Sequence, residues 1–95
     1  MSLISFIVFK SSFRGSPNVF KSQIYEYNEG YGYSISYGNK IIIKQNIIPV
    51  IPANKPFYDF YDAQKVADLV KEKLDKNESP HISLEELKEL NIQLE

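Results

Sequence analysis

The stretch Tyr31-Gly32-Tyr33-Ser34-Ile35-Ser36-Tyr37-Gly38-Asn39-Lys40-Ile41-Ile42-Ile43-Lys44-Gln45 decides the fold. Tyr33, Ile35 and Tyr37 fall on one side and Ser34 and Ser36 on the other, the two-residue period of a strand with one buried face. Ile41–Gln45 is a second strand, and Gly38-Asn39 between the two is a hairpin signal. A two-residue loop pairs Ile35 with Ile42 and sets Lys40 beside Tyr37 and Lys44 beside Tyr33. A three-residue loop, Gly38 to Lys40, pairs Tyr37 with Ile41, Ile35 with Ile43 and Tyr33 with Gln45. Only the second gathers the apolar residues on one face, and a one-residue slip moves a whole face. Against it, the left-handed loop position falls on Lys40 rather than on a glycine. The in-phase, three-residue register is the expectation.

Upstream, Val19–Tyr27 reads as another strand, with Lys21, Gln23 and Glu26 set among β-branched and aromatic residues, and Asn28-Glu29-Gly30 as the turn into Tyr31. Downstream, Ile47–Pro56 holds Pro49, Pro52 and Pro56, an extended connection over the surface or along a sheet edge. Two capped helices follow. Asp59 is the N-cap of a helix near 60–76, with Asp62 in its first turn and Ala63, Val66, Ala67, Val70 and Leu74 in one apolar stripe. Asn77 stops it and Pro80 prevents its continuation. Ser83 and Glu86 form a capping box, Ile82 and Leu87 a hydrophobic staple, and Leu84, Leu87 and Leu90 the buried side of a short second helix. The fold class is therefore α+β: a small antiparallel sheet of three or four strands packed by one amphipathic helix, plus a short C-terminal helix.

Ninety-five residues, 43% of them hydrophobic, suffice for one domain with one core. That domain covers 19–95, after an apolar segment and linker over 1–18. Leu3–Phe9 is far short of the roughly 20 residues a bilayer span needs. It has no basic n-region and no small-x-small cleavage site after it. Two readings stay open: an edge strand, or the remnant of an export signal or anchor, with Met1-Ser2-Leu3 resembling an expression-vector scar.

The net charge of −1 exerts no global pull on nucleic acid or anionic lipid. It is unevenly spread: residues 1–56 carry six basic and two acidic residues, whereas 57–95 carry five lysines and ten carboxylates. The absence of cysteine excludes disulfides, thiolate metal sites and cysteine nucleophiles. It leaves the redox compartment undecided. The single histidine, His81, cannot build a multi-histidine metal site, and no orienting carboxylate or nucleophile stands near it in sequence. Glu85, Glu86 and Glu89 read as helix-start residues favoured by the dipole. Gly30-x-Gly32 joins strands and opens no helix, which disfavours a phosphate loop. No catalytic residue, metal site or cofactor is assigned.

Seven tyrosines are the most informative feature, because a flat apolar face with a polar tip suits both sheet packing and recognition. Lys21, Lys40 and Lys44 are thin support for single-stranded nucleic acid, and no nucleic-acid partner is expected. Gln45 and Asn46 stand where side-chain amides can serve backbone groups that the prolines leave without ladder partners, or anchor a ligand. The candidate binding residues are Tyr31, Tyr33, Gln45, Asn46 and Tyr58, placed where the Tyr31–Tyr33 turn meets the Ile47–Phe57 connection.

Gly32-Tyr33-x-Ile35, Gly38-x-Lys40, Ile43-x-Gln45, Ile48-Pro49, Phe57, Asp62-Ala63, Val66-Ala67, Pro80 and Glu86-Leu87 together resemble a bacterial family, domain of unknown function 4907, found mainly in Bacteroidetes. The resemblance covers roughly residues 30–90. Val50 stands where the family pattern has Ala, and Ala53 where it has Gly, so the connection takes a somewhat different path. The resemblance implies an export signal or lipoprotein-type leader on the precursor and no particular activity. The expectation is a non-catalytic binding or accessory module of the bacterial cell envelope or periplasm, with a protein, peptide or glycan partner. Its membrane association would come only through an upstream leader, and a cytoplasmic location stays open. The rival is a small hydrolase or other enzyme using carboxylates with His81.

Overall fold

The central strand organises the sheet. In a computed structural model that describes residues 19–94, β1 (Phe20–Tyr27), β2 (Gly30–Tyr37) and β3 (Lys40–Gln45) form one antiparallel sheet in the order β1-β2-β3. The two readings of residues 1–18 lie outside the described residues.

The two hairpins differ from expectation in instructive ways. Tyr27 pairs with Gly30, so the first loop is Asn28-Glu29 alone and Gly30 already belongs to β2. Both loop residues take positive φ, 48° and 64°, which the right-handed twist of a two-residue hairpin demands. In the second hairpin both candidate registers occur. Tyr33 pairs with Gln45 and Ile35 with Ile43, the in-phase set; after a bulge, Ser36 pairs with Ile41 and Tyr37 with Lys40. Ile42 is the extra residue. The bulge keeps Ile43 in phase with Ile35, but the expected Tyr37–Ile41 pair does not form: Ile41 lies opposite Ser36 and is exposed. Gly38, at φ 61°, supplies the left-handed position that Lys40 would have filled at a steric penalty.

Two helices complete the α+β fold: α1 (Phe60–Asp75) and α2 (Leu84–Glu89). Asp59 caps α1 by accepting from the Asp62 amide at 2.8 Å, and Ser83 caps α2 in a complete capping box with Glu86. Both helices end in Schellman motifs closed by asparagines at φ near 60°, Asn77 and Asn91. α1 lies across β1 and β2. Ile35, Val66, Ala67, Val70, Phe57, Ile48 and Leu87 are buried at the centre, with Ile43 and Leu74 half-buried at its edge. Leu84 corrects an expectation. As the first residue after the cap it stays 38% exposed, and Leu87 is buried in the core with Ile82 and Ile92.

β3 ends at Gln45, yet the ladder on β2 does not. Phe57 takes the next place, exchanging two backbone hydrogen bonds of 3.0 Å with Tyr31. Residues 46–56 are thus an excursion between two rungs, closed by the Ile48 amide on the Lys55 carbonyl at 2.9 Å.

Candidate functional site

Because α1 lies over β1 and β2, the inner face of β3 borders an open groove of about 390 Å³. Tyr33, Ile43, Val70 and Ile82 give it an apolar floor. Gln45, Pro49 and Val50 from the end of β3 and the connection, and Ser79, Pro80 and His81 from the segment between the helices, complete its lining. Each side chain has a structural reason for its place. Tyr33 and Ile43 are inward residues of the in-phase ladder. Val70 belongs to the α1 stripe, and Ile82 is the staple residue that leads into the Ser83 cap.

Val50 is the unusual member. Pro49-Val50 makes a turn with proline first and a positive φ of 62° second, the sign pattern that normally calls for glycine. A β-branched side chain in that region is a true outlier, and such strain concentrates at ligand clamps and active sites. The segment carrying His81 is pinned. The Lys73 ammonium donates to the His81 carbonyl and bridges to Glu86 at 2.8–2.9 Å, which ties α1 to the start of α2. That ammonium, with the Ser83 amide, holds the Glu86 carboxyl below its ordinary range. Burial, helped by the neighbouring Tyr25 phenol, pushes the Tyr33 hydroxyl up to about 12.

The five candidate residues do not share one site. Tyr33 and Gln45 line the groove, Tyr33 as a buried residue 3% exposed and Gln45 with its amide donating to the Ile47 carbonyl at 2.8 Å. Tyr31 and Tyr58 belong to an aromatic end of the molecule. There Tyr31 meets Phe60 edge-on at 6.1 Å, Phe60 meets Tyr61 at 5.7 Å, and the Lys55 ammonium stands over the exposed Tyr58 ring. Asn46 sits at the outer face, where its side-chain oxygen accepts from the Tyr25 hydroxyl.

That Tyr25 contact shows a role sequence reasoning missed. Tyr25 lies opposite Gly32, and its ring covers the glycine: a Cβ there would stand 3.0 Å from the ring and 2.6 Å from the Gln45 carbonyl oxygen. The tyrosine spans the central strand and fastens β3, with Lys44 stacked on its ring at 5.5 Å. Reading the first loop as two residues would have exposed the pairing. Val50, Ser79 and Ile82 were also missed as site residues. The signal for Val50 was its place behind a proline in a turn.

Chemically the groove can hold an apolar group and offer hydrogen bonds at its edges from Gln45, Ser79 and His81. Among the described residues no group of three His, Asp or Glu is placed to hold a metal ion, and no helix is long and apolar enough to cross a membrane. No curated protein matches the chain, and no solved structure does. A family model described as a domain of unknown function, DUF4907, matches residues 23–89, from β1 through α2. The chain belongs to that family.

Proposed function

We propose that this chain is a non-catalytic binding module of the cell envelope, and that the groove beside β3 receives its partner. The observation that carries the reading is the groove itself: an apolar floor, polar edges, and a strained valine in its lining. Its volume lies at the low end of the range for binding clefts, enough for one or two side chains or a small apolar group. A hydrolase would need a carboxylate oriented on His81. Ser79 and His81 line the groove, but neither Asp nor Glu does among the described residues, which supports binding over catalysis. The envelope location is supported by the apolar Leu3–Phe9 stretch and by the leader that the resemblance implies.

Amide shift mapping of the full chain against a panel of short peptides and oligosaccharides tests the site. Perturbations should cluster at Ile43, Gln45 and 79–82, with no turnover of ester or glycoside substrates. Shifts confined to the aromatic end at 58–61, or turnover abolished by His81→Ala, would overturn the reading. Fractionation of cells that make the natural precursor should recover it in the envelope or periplasm; recovery in the cytosol would refute the location.

A further inference from the structure

We infer that the partner is an extended peptide segment that pairs with the outer edge of β3 and turns alternate side chains into the groove. The inference rests on the groove being the binding site and adds the chemistry of what fills it.

The backbone directions follow from the ladder. Tyr31 exchanges both its hydrogen bonds with Phe57, so Tyr33 and Ile35, two and four residues on, also face β3 and meet Gln45 and Ile43. The residue between those partners, Lys44, then turns its amide and carbonyl away from β2. β3 ends the sheet on that side, and among the described residues nothing pairs with its outer edge. The bulge at Ile42 bends the strand, so a partner pairs over the short stretch from Ile43 to Gln45.

A peptide strand docked there exchanges two bonds with Lys44. Strand alternation places the peptide residue opposite Lys44 on the outer face and its two neighbours on the inner face, beside Ile43 and Gln45. The inner face is the apolar groove, so those neighbours are apolar. The outer face presents the Lys44 ammonium, stacked on Tyr25 and without a carboxylate partner among the described residues, so the residue between them is acidic. The motif is apolar–acidic–apolar. Charge complementarity selects against two other occupants. A second copy pairing β3 to β3 would bring lysines together, since β3 carries Lys40 and Lys44 and no acid. The chain's own residues 1–18 contain no Asp or Glu.

Fluorescence anisotropy of the full chain with a labelled Ac-Thr-Val-Glu-Val-Thr-amide peptide tests this, alongside the same peptide with Lys for Glu. The Glu peptide should bind about fivefold or more tightly than the Lys peptide, with shifts at the Lys44 amide and in the groove. Lys44→Glu should reverse that preference. Lys44→Pro, which removes the outward amide together with the ammonium and breaks no bond to β2, should abolish binding of both while the protein still unfolds cooperatively. Groove shifts that are indifferent to both Lys44 variants would overturn edge pairing and leave the groove reading standing. Absence of peptide binding up to about 1 mM would overturn the inference, whereas a panel that never touches the groove overturns the binding site itself. Concentration-dependent sedimentation abolished by Lys44→Pro would identify a second copy as the occupant and also refute it.

Discussion

Gly30→Ala should destabilise the domain although ordinary strand chemistry says the opposite. Alanine loses less conformational freedom than glycine on entering a strand, an advantage of roughly 0.5–1 kcal/mol. Gly30 does not occupy a positive φ, so the backbone imposes no bar. Space does. A Cβ on Gly30 would stand 2.6 Å from the Phe57 carbonyl oxygen and 2.7 and 2.9 Å from two Pro56 ring carbons. Relief requires the 56–57 backbone to move, and that backbone carries two hydrogen bonds to Tyr31 and anchors the fully buried Phe57 ring. Overpacking of this kind costs about 1–3 kcal/mol, and each weakened hydrogen bond about 0.5–1.5. Set against the propensity gain, the net loss is about 1–3 kcal/mol. At the usual entropy of unfolding per residue, each kcal/mol lowers the midpoint of a domain this size by roughly 5 °C. A drop of about 5–15 °C by calorimetry is therefore expected, with faster hydrogen exchange at the Phe57 amide. A raised midpoint, or an unchanged one with Phe57 protection intact, would show that the connection does not rest on β2 as described.

Ser83→Ala should cost about 0.5–2 kcal/mol in urea unfolding, since the capping hydroxyl serves the Glu86 amide. Glu86 is held below its ordinary value of 4.5, so the stability it lends is present above that value and lost as pH falls through the depressed one. Glu86→Gln should accordingly flatten the acid limb of the midpoint-against-pH curve; an identical limb would refute the Lys73–Glu86 clasp. Tyr33 is shifted from 10.0 to about 12 in the folded state, so the unfolded chain loses this proton first as pH rises above 10. Stability should fall by about 2–3 kcal/mol across that interval, and Tyr33→Phe should remove most of the decline. Matching curves for the two proteins would count against the buried phenol.

Much of this architecture was legible because local signals agreed. The caps at Asp59 and Ser83, the stops at Asn77 and the stripe from Ala63 to Leu74 each follow from short-range chemistry. The second hairpin was harder, since turn chemistry favoured one register and face matching another. A bulge divides the strand between them, Ile43 keeping the face match and Ile41 giving it up, and no periodicity argument at one residue's resolution anticipates that compromise. The candidate site was read less well for a similar reason. Tyr33 and Gln45 face the groove because of ladder register, but its walls come from Val50 and 79–82, brought together by the Lys73 clasp and the closed excursion. Those contacts are long-range, and the residues making them carry no distinctive local pattern.

The excursion between Gln45 and Phe57 has an evolutionary consequence. Its ends are fixed by the sheet itself, on adjoining places of one ladder, and the bond between Ile48 and Lys55 closes it again just outside. Inserting residues at its exposed tip, Pro52 to Asn54, would therefore leave every rung and helix cap in place. The thermodynamic charge is closure entropy alone, which rises only with the logarithm of length, about 0.6 kcal/mol for each doubling. Descendants of this fold can thus lengthen, shorten or re-letter that tip almost at will without renegotiating how the domain folds.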